Sequence, residues 1–302
     1  MTNTGASKTI AVSSPEEAAW LGRQLYDAPE EHFGRPPVTV VSYGPGAGRM
    51  ERREAFREVY DAIVARIGEP TLYGGSAQGP SIRWRDDRRL VLLSGDRFGA
   101  RLSVHRPEAL EAEEYRSFEW SGAGSAAEPH DFDLLPYVWQ LYRGGTGERP
   151  VTRPGARLAG CWEHLETGLE LMLAAWAEQL PVQVPGDWAG FMILSRRDRG
   201  RHVVVSYSPG EGLGVAVDDR DAEQGPERER QMMMRGWQTS DRGWWQSAFL
   251  EADEGSAAAA ARLTVAELRA RGAVSPEELE ARDVSVNDRG ELWLPGLGIR
   301  TG

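Results

Sequence analysis

Phe191-Met192-Ile193-Leu194, His202-Val203-Val204-Val205-Ser206-Tyr207 and Leu213-Gly214-Val215-Ala216-Val217 decide the fold. Each run is short, apolar and rich in β-branched or aromatic residues, which is strand composition. Arg196-Arg197-Asp198-Arg199-Gly200 and Ser208-Pro209-Gly210-Glu211-Gly212 separate them as turns. Connections this short allow only antiparallel neighbours, because a parallel crossover needs a dozen or more residues. The stretch therefore predicts a three-stranded meander. A helix follows over residues 224–235, with Gly236 as its cap. Trp244-Trp245 then opens a further short helix, read over residues 244–250.

Outward from the meander, a helix over residues 162–179 carries Leu165, Leu169, Met172, Leu173 and Trp176 on a wide apolar face, and Pro181 to Gly186 stops it. Downstream come helices over 257–271 and 276–282, then a late hairpin of 284–286 with 292–294 around Asp288-Arg289-Gly290. In the first half, Ser14-Pro15-Glu16-Glu17 is a helix start: an N-cap, a proline at the first position, acids in the first turn. A strand over 38–41 and an amphipathic helix over 50–67, ended by Gly68, come next. Four strands follow at 71–73, 81–85, 90–94 and 100–105, with Gly74-Gly75 read as a turn. Pro107 opens a helix whose solvent face is acidic through Glu111, Glu113 and Glu114. Residues 1–13 read as frayed, 121–129 as small and flexible, and 134–142 as a packed apolar segment. The fold class is α+β, with an N-terminal domain over 1–143, a linker rich in Gly, Pro and Arg over 144–160, and a C-terminal domain over 161–302.

Composition excludes several function classes. The net charge is −11 and both halves are acidic, which disfavours nucleic acid as the main partner and favours a basic protein partner. The single Cys161 excludes an intramolecular disulfide and a cysteine-based zinc site. No apolar run approaches the length of a membrane span, and the first residues lack the plan of a signal peptide, so a cytoplasmic chain without a membrane partner is expected.

Residues 160–272 resemble the TY-Chap family, actinobacterial domains related to YbjN and to type III secretion chaperones. The resemblance rests on Trp176-Ala177-Glu178-Gln179-Leu180-Pro181, then the meander, then Met234-Arg235-Gly236-Trp237 and Trp244-Trp245. It implies an α+β fold and a chaperone- or adaptor-like role without catalysis. The first half resembles domains found beside toxin and secretion genes in actinobacteria, through Gly68-Glu69-Pro70 and Arg83-Trp84-Arg85.

Candidate chemistries are few. Gly44-Pro45-Gly46-Ala47-Gly48-Arg49 sits between a strand and a helix, where a nucleotide or acyl-coenzyme A phosphate would find amides. It lacks the Gly-Lys-Ser/Thr of a P-loop and reads first as a connection. Cys161 and His164 lie three apart at a helix start, but no third group is marked to orient them; a small buried cysteine and a surface histidine is the simpler expectation. Asp218, Asp219, Asp221 and Glu223 read as a solvated turn, as do His130, Asp131 and Asp133. Eleven tryptophans are many for this length. Trp237, Trp244 and Trp245, with Met233 in an adaptable methionine triplet, form the candidate partner-binding set. A Trp-Trp pair alternates in direction, so one of Trp244 and Trp245 can reach solvent and anchor a partner. No cofactor or metal is expected. The function expected is a non-catalytic protein-binding adaptor or chaperone. An immunity protein neutralising a basic toxin is the first alternative, and an enzyme using the Gly44 to Gly48 loop is the second.

Overall fold

The computed structural model describes residues 14–119, 129–144, 155–186, 188–197, 203–220, 222, 225–241, 243–249, 255–286 and 290–302. The frayed start at 1–13, the small-residue stretch at 121–128, most of the linker, His202, Asp221, Glu223 and the Asp288-Arg289 turn lie outside them.

The chain is α+β, built on two seven-stranded sheets. The first begins with α1 (Pro15–Asp27), whose N-cap Ser14 Oγ accepts from the Glu17 N–H at 3.2 Å. Then come β1 (Val38–Ser42), α2 (Arg49–Ile67), β2 (Leu72–Gly75), β3 (Ser81–Arg85), β4 (Leu90–Asp96), β5 (Gly99–His105), α3 (Pro107–Glu119) and β6 (Trp139–Tyr142). The second half runs α4 (Trp162–Gln183), β7 (Ala189–Ser195), β8 (Val203–Ser208), β9 (Gly212–Asp218), α5 (Pro226–Met234), β10 (Gln238–Asp241), β11 (Trp244–Phe249), α6 (Ser256–Ala270), β12 (Leu279–Val286), β13 (Glu291–Trp293) and β14 (Arg300–Thr301). The first sheet is ordered β1-β5-β4-β3-β2-β6-β13 and the second β10-β11-β9-β8-β7-β12-β14. All pairings are antiparallel except β12 with β14.

The meander forms as its residues demand. Val203, Val205 and Tyr207 face the core beside Leu213, Val215 and Val217, and the alternate positions face away. α4 and α6 cover the core side, where Trp176 meets Phe191 edge-on at 5.8 Å. In the first sheet β3 is buried on both faces. Ile82 and Trp84 join a core with Phe56, Val59 and Ile63 of α2, while Arg83 and Arg85 lie on the face under α3.

Several expectations change. Trp244–Phe249 is a strand, not a helix. Trp245 points into the core while Trp244 and Gln246 face outward, and the strand pairs with β9 from Trp244↔Asp218 to Phe249↔Leu213. Residues 276–282 are a single 3-10 turn (Pro276–Glu278) followed directly by β12. The late hairpin does not form: β12 pairs with β7 in the second sheet, and β13 pairs with β6 in the first. Across the expected division at 144–160, β13 thus crosses back to complete the edge of the N-terminal sheet. The acidic face of α3 is not wholly turned to solvent. Glu114 holds Arg83 through two bonds of 2.7 and 2.8 Å, and Glu111 holds Arg85 at 2.8 Å.

Gly74-Gly75 is strand, not turn; it pairs with Gln140 and Trp139 while α4 lies against it. Gln183 Oε1 accepts from the Gly74 N–H at 2.8 Å, and its Nε2 donates to the Gly74 carbonyl at 2.9 Å. Gln179 accepts from Trp139 Nε1 at 2.7 Å and donates to the Ser76 carbonyl at 3.1 Å. A Cβ on Gly75 would stand 1.6 Å from Gln179 Oε1, so any other residue here displaces the Gln179 amide from its bonds.

α4 ends within the expected stop segment but runs past residue 179, through Pro181, to Gln183. Proline lacks the N–H that would bond the carbonyl four residues back. That carbonyl, of Ala177, instead accepts from Arg53 Nη2 of α2. The proline therefore creates the acceptor by which the two halves join, and Arg52 adds a bond to Glu178 at 2.9 Å.

Replacing Gly75 with valine is expected to displace Gln179 and to cost about 1–3 kcal/mol, as other overpacking changes do. Urea unfolding of the purified variant measures it; a midpoint unchanged from the parent would show that α4 does not depend on this approach.

Candidate functional site

The candidate residues gather at one corner of the second sheet, where β9, α5, β10 and β11 meet. Gly225 and Pro226 open α5, with Glu227 and Glu229 in its first turn, where acids suit the helix dipole. Only Met232 enters the core. One turn ahead of it, Arg228 grips Asp219 at the end of β9 through two bonds of 2.8 Å. Gly236, at φ 90°, then reverses the chain into β10, which is exposed at all four positions.

Within this corner the sequence candidates separate. Met233 is 55% exposed and Met234 80%. Trp237 is 1% exposed and Trp245 2%, so neither reaches a partner in this conformation. Both belong to the core of the second sheet with Val217, Ala257 and Ala261, and the strand of Trp245 packs against α6. Trp244 faces the other way, half-buried, with the Arg220 guanidinium 5.6 Å from its ring centre. The alternation expected of a Trp-Trp pair is thus present, with Trp244 as the outward member.

Beneath these residues lies an ion-pair network that the sequence did not announce. Asp218 and Asp219 are buried, not a solvated turn. Arg220 donates to Asp218 at 2.7 and 2.9 Å. Arg271, at the end of α6, donates to the Asp218 carbonyl at 2.7 Å and to Glu267 at 2.7 Å. Its Nη2 lies 3.7 Å from Asp219. Arg235, at the end of α5, also donates to Glu267, itself buried. Both ends of α5 are therefore fastened to β9 and α6 by charge, and Met233 and Met234 project from a fixed support. The signal that could have revealed this is the arginine content of residues 220–235 and 271 beside three acids; their pairing partners lie up to about 50 positions away in sequence.

The other candidates are not assembled into a reaction centre. The first free amide at the start of α2, that of Gly48, already donates to Glu51 Oε2 at 3.1 Å, so the chain's own carboxylate occupies the place of a phosphate. His164 is buried and Cys161 is partly exposed, the reverse of what was expected. The histidine lies on the inner face of α4 in the turn that leads into Leu165. Asp131 sits 3.5 Å from the buried Arg157. Burial lowers the pKa of His105, with Arg83 adding to the shift, and its Nε2 is 2.8 Å from Ser103 Oγ. Among the described residues no group of three or more His, Cys, Asp or Glu is placed to hold a metal ion, and no helix is long and apolar enough to cross a membrane. Compared with family models, curated proteins and solved structures, the chain matches none.

Proposed function

We propose that this chain is a cytoplasmic, non-catalytic adaptor or chaperone-like protein that binds another protein through the α5–β10 corner. The observation that carries this is the pair Met233 and Met234, exposed on a helix end that is held by buried ion pairs, next to β10, an exposed edge strand. Methionine is flexible and polarizable and adapts to varied apolar partners. An edge strand offers backbone donors and acceptors for strand addition. Trp244, stacked under Arg220, adds the residue pair most common at interface hot spots. The order helix, meander, helix from α4 to α5, followed by Gly236-Trp237, is the pattern on which the TY-Chap-like, secretion-chaperone-related reading rests. The net charge of −11 favours a basic partner, the character an immunity protein's toxin would have.

The test is co-purification from the native cell with the parent chain, with Met233→Ser/Met234→Ser, and with Val274→Ser as an exposed apolar control elsewhere. The parent and the control are expected to retain one partner in fixed ratio, and the double variant to lose it about tenfold, the scale of losing one hot-spot contact. Equal recovery by all three, or a parent that always elutes alone, would overturn the proposal.

A further inference from the structure

β12 and β13 are joined by residues 287–290, a connection of hairpin length, yet they part into different sheets. A cavity of about 310 Å³ lies between them. Val284 of β12 forms one wall and Glu291, Leu292 and Trp293 of β13 another, with Ala156 and Thr301 among the residues that close it. β14 pairs with β12 only at Glu280 and Ala281, so it stops short of Val284. Among the described residues no strand pairs with β13 on the side away from β6.

The register says which main-chain groups β13 turns to its open side. Arg143, directly after β6, donates its N–H to the Thr71 carbonyl, on the β2 side. Main-chain groups alternate in direction along a strand, so Tyr142 and Gln140 turn theirs toward β13. Their partners there are Glu291 and Trp293. Leu292, between the two, therefore turns its N–H and its carbonyl away from β6, to the cavity side. An open edge of this kind is a template for another strand. Trp293 supplies a second, independent sign. It is almost wholly buried and lines the cavity, and its indole N–H has no hydrogen-bond partner. A buried donor without an acceptor is an exception that needs a reason. A peptide carbonyl entering the cavity would be such an acceptor.

We infer that this wedge is a docking site for an extended segment of a partner polypeptide, which adds to the open edge of β13 as a further strand of the first sheet. β13 also sets what the segment carries. Side chains alternate along a strand, so Glu291 and Trp293 share one face and Leu292 takes the other. Leu292 belongs to the core, so the residue opposite it is apolar. The residue opposite Trp293 is apolar as well, and the one opposite the exposed Glu291 is basic, because opposite charges across a strand pair attract. The net charge of −11 favours the same sign. β13 is three residues long, so a short segment suffices. The site shares no residue with the α5–β10 surface and stands or falls without it.

The probe is the peptide acetyl-Lys-Val-Val-Val-Lys-amide, which reads the same in both directions and so serves a parallel or an antiparallel addition. NMR of the full chain follows the Leu292 amide. A saturable shift with a Kd on the order of 1 mM is expected, as suits so short a strand. Exchange of that amide with solvent should slow about sixfold at about 5 mM peptide, by mass action. The same peptide N-methylated at its second and fourth residues lacks the donors that meet Leu292 and is expected not to bind. The version with glutamate in place of both lysines should bind about threefold more weakly, the scale of a cross-strand charge pair. Ala156→Phe, at an exposed position where an unchanged melting temperature verifies the fold, fills the cavity and should weaken the lysine peptide about tenfold, or one lost contact of about 1.4 kcal/mol. No shift with the lysine peptide, equal binding by the N-methylated or the glutamate version, or full affinity in a folded Ala156→Phe chain would overturn the inference.

Discussion

A chain that stops after residue 289 is expected to lose cooperative folding. Leu292, Trp293, Leu294, Leu297 and Ile299 are all buried, although they belong to the last few residues of the chain. Burying a large apolar side chain stabilises by roughly 1.5–3 kcal/mol, so five contribute about 10 kcal/mol before their ordering entropy is subtracted. That rivals the whole stability of an ordinary domain, about 5–15 kcal/mol. The location matters as much as the area. β13 completes the first sheet against β6, and β14 pairs with β12 in the second. Between them the chain crosses α4, where the Gly296 carbonyl lies 3.1 Å from where a Cβ on Gly168 would be. It also bonds to residues 155–159: Arg157 N–H to the Pro295 carbonyl at 3.0 Å, and Ala159 N–H to the Gly298 carbonyl at 2.7 Å. Removing this tail opens both sheets and uncovers Phe132 and Leu165. Circular dichroism on heating checks it: a broad, non-cooperative change is the expected result. Leu297→Ala, a milder lesion, should cost about 2–5 kcal/mol and keep a single transition. A truncated chain that melts sharply within a few degrees of the parent would show that the halves stand without their clasp.

The parts of this architecture that were legible in advance are those settled by neighbours in sequence. Ser14-Pro15-Glu16-Glu17 caps α1 as its side chains require, and the runs of β7, β8 and β9 can only pair in order. What was not legible depends on residues far apart in the chain. Trp244-Trp245-Gln246-Ser247-Ala248-Phe249 is too short for its period to separate strand from helix, and only β9 decides it. Gly74-Gly75 read as punctuation, because the need for glycine there comes from Gln179 and Gln183, a hundred positions on. β13 is three residues long and its partner lies about 150 positions earlier. The corner was half visible. That one of Trp244 and Trp245 would turn outward followed from their adjacency, but which one did not, and the burial of Trp237 and of the aspartates depends on partners far away in sequence. The open cleft lined by Tyr26, Tyr60, Trp84, Arg143 and Val182 was invisible, since five separate segments supply its walls.

Replacing Asp219 with alanine is the single substitution expected to do most damage at the α5–β10 corner. Its carboxylate is buried, holds Arg228 through two bonds of 2.8 Å, and faces Arg271 at 3.7 Å. Truncating it leaves Arg228 without its carboxylate and takes a neighbouring negative charge from the enclosed Arg271, which keeps Glu267 and the Asp218 carbonyl. Breaking a buried pair from one side typically costs about 3–5 kcal/mol, more than the pair itself contributes, because the remaining charge has lost its compensation. Arg228→Ala should cost less, because the Asp219 carboxylate left behind keeps the Arg271 guanidinium nearby. The double variant should then be less destabilised than the sum of the two, the signature of direct coupling. Urea midpoints at constant slope measure all three. Hydrogen exchange locates the effect: α5 amides should lose protection in Asp219→Ala while those of α2 and β4 keep theirs, since the first-sheet core has no share in this network. If Asp219→Ala instead leaves the midpoint unmoved and α5 protected, the charges beneath Met233 and Met234 are not what holds that helix end in place. The apolar packing of Met232, buried beside Trp237, would then carry the whole load.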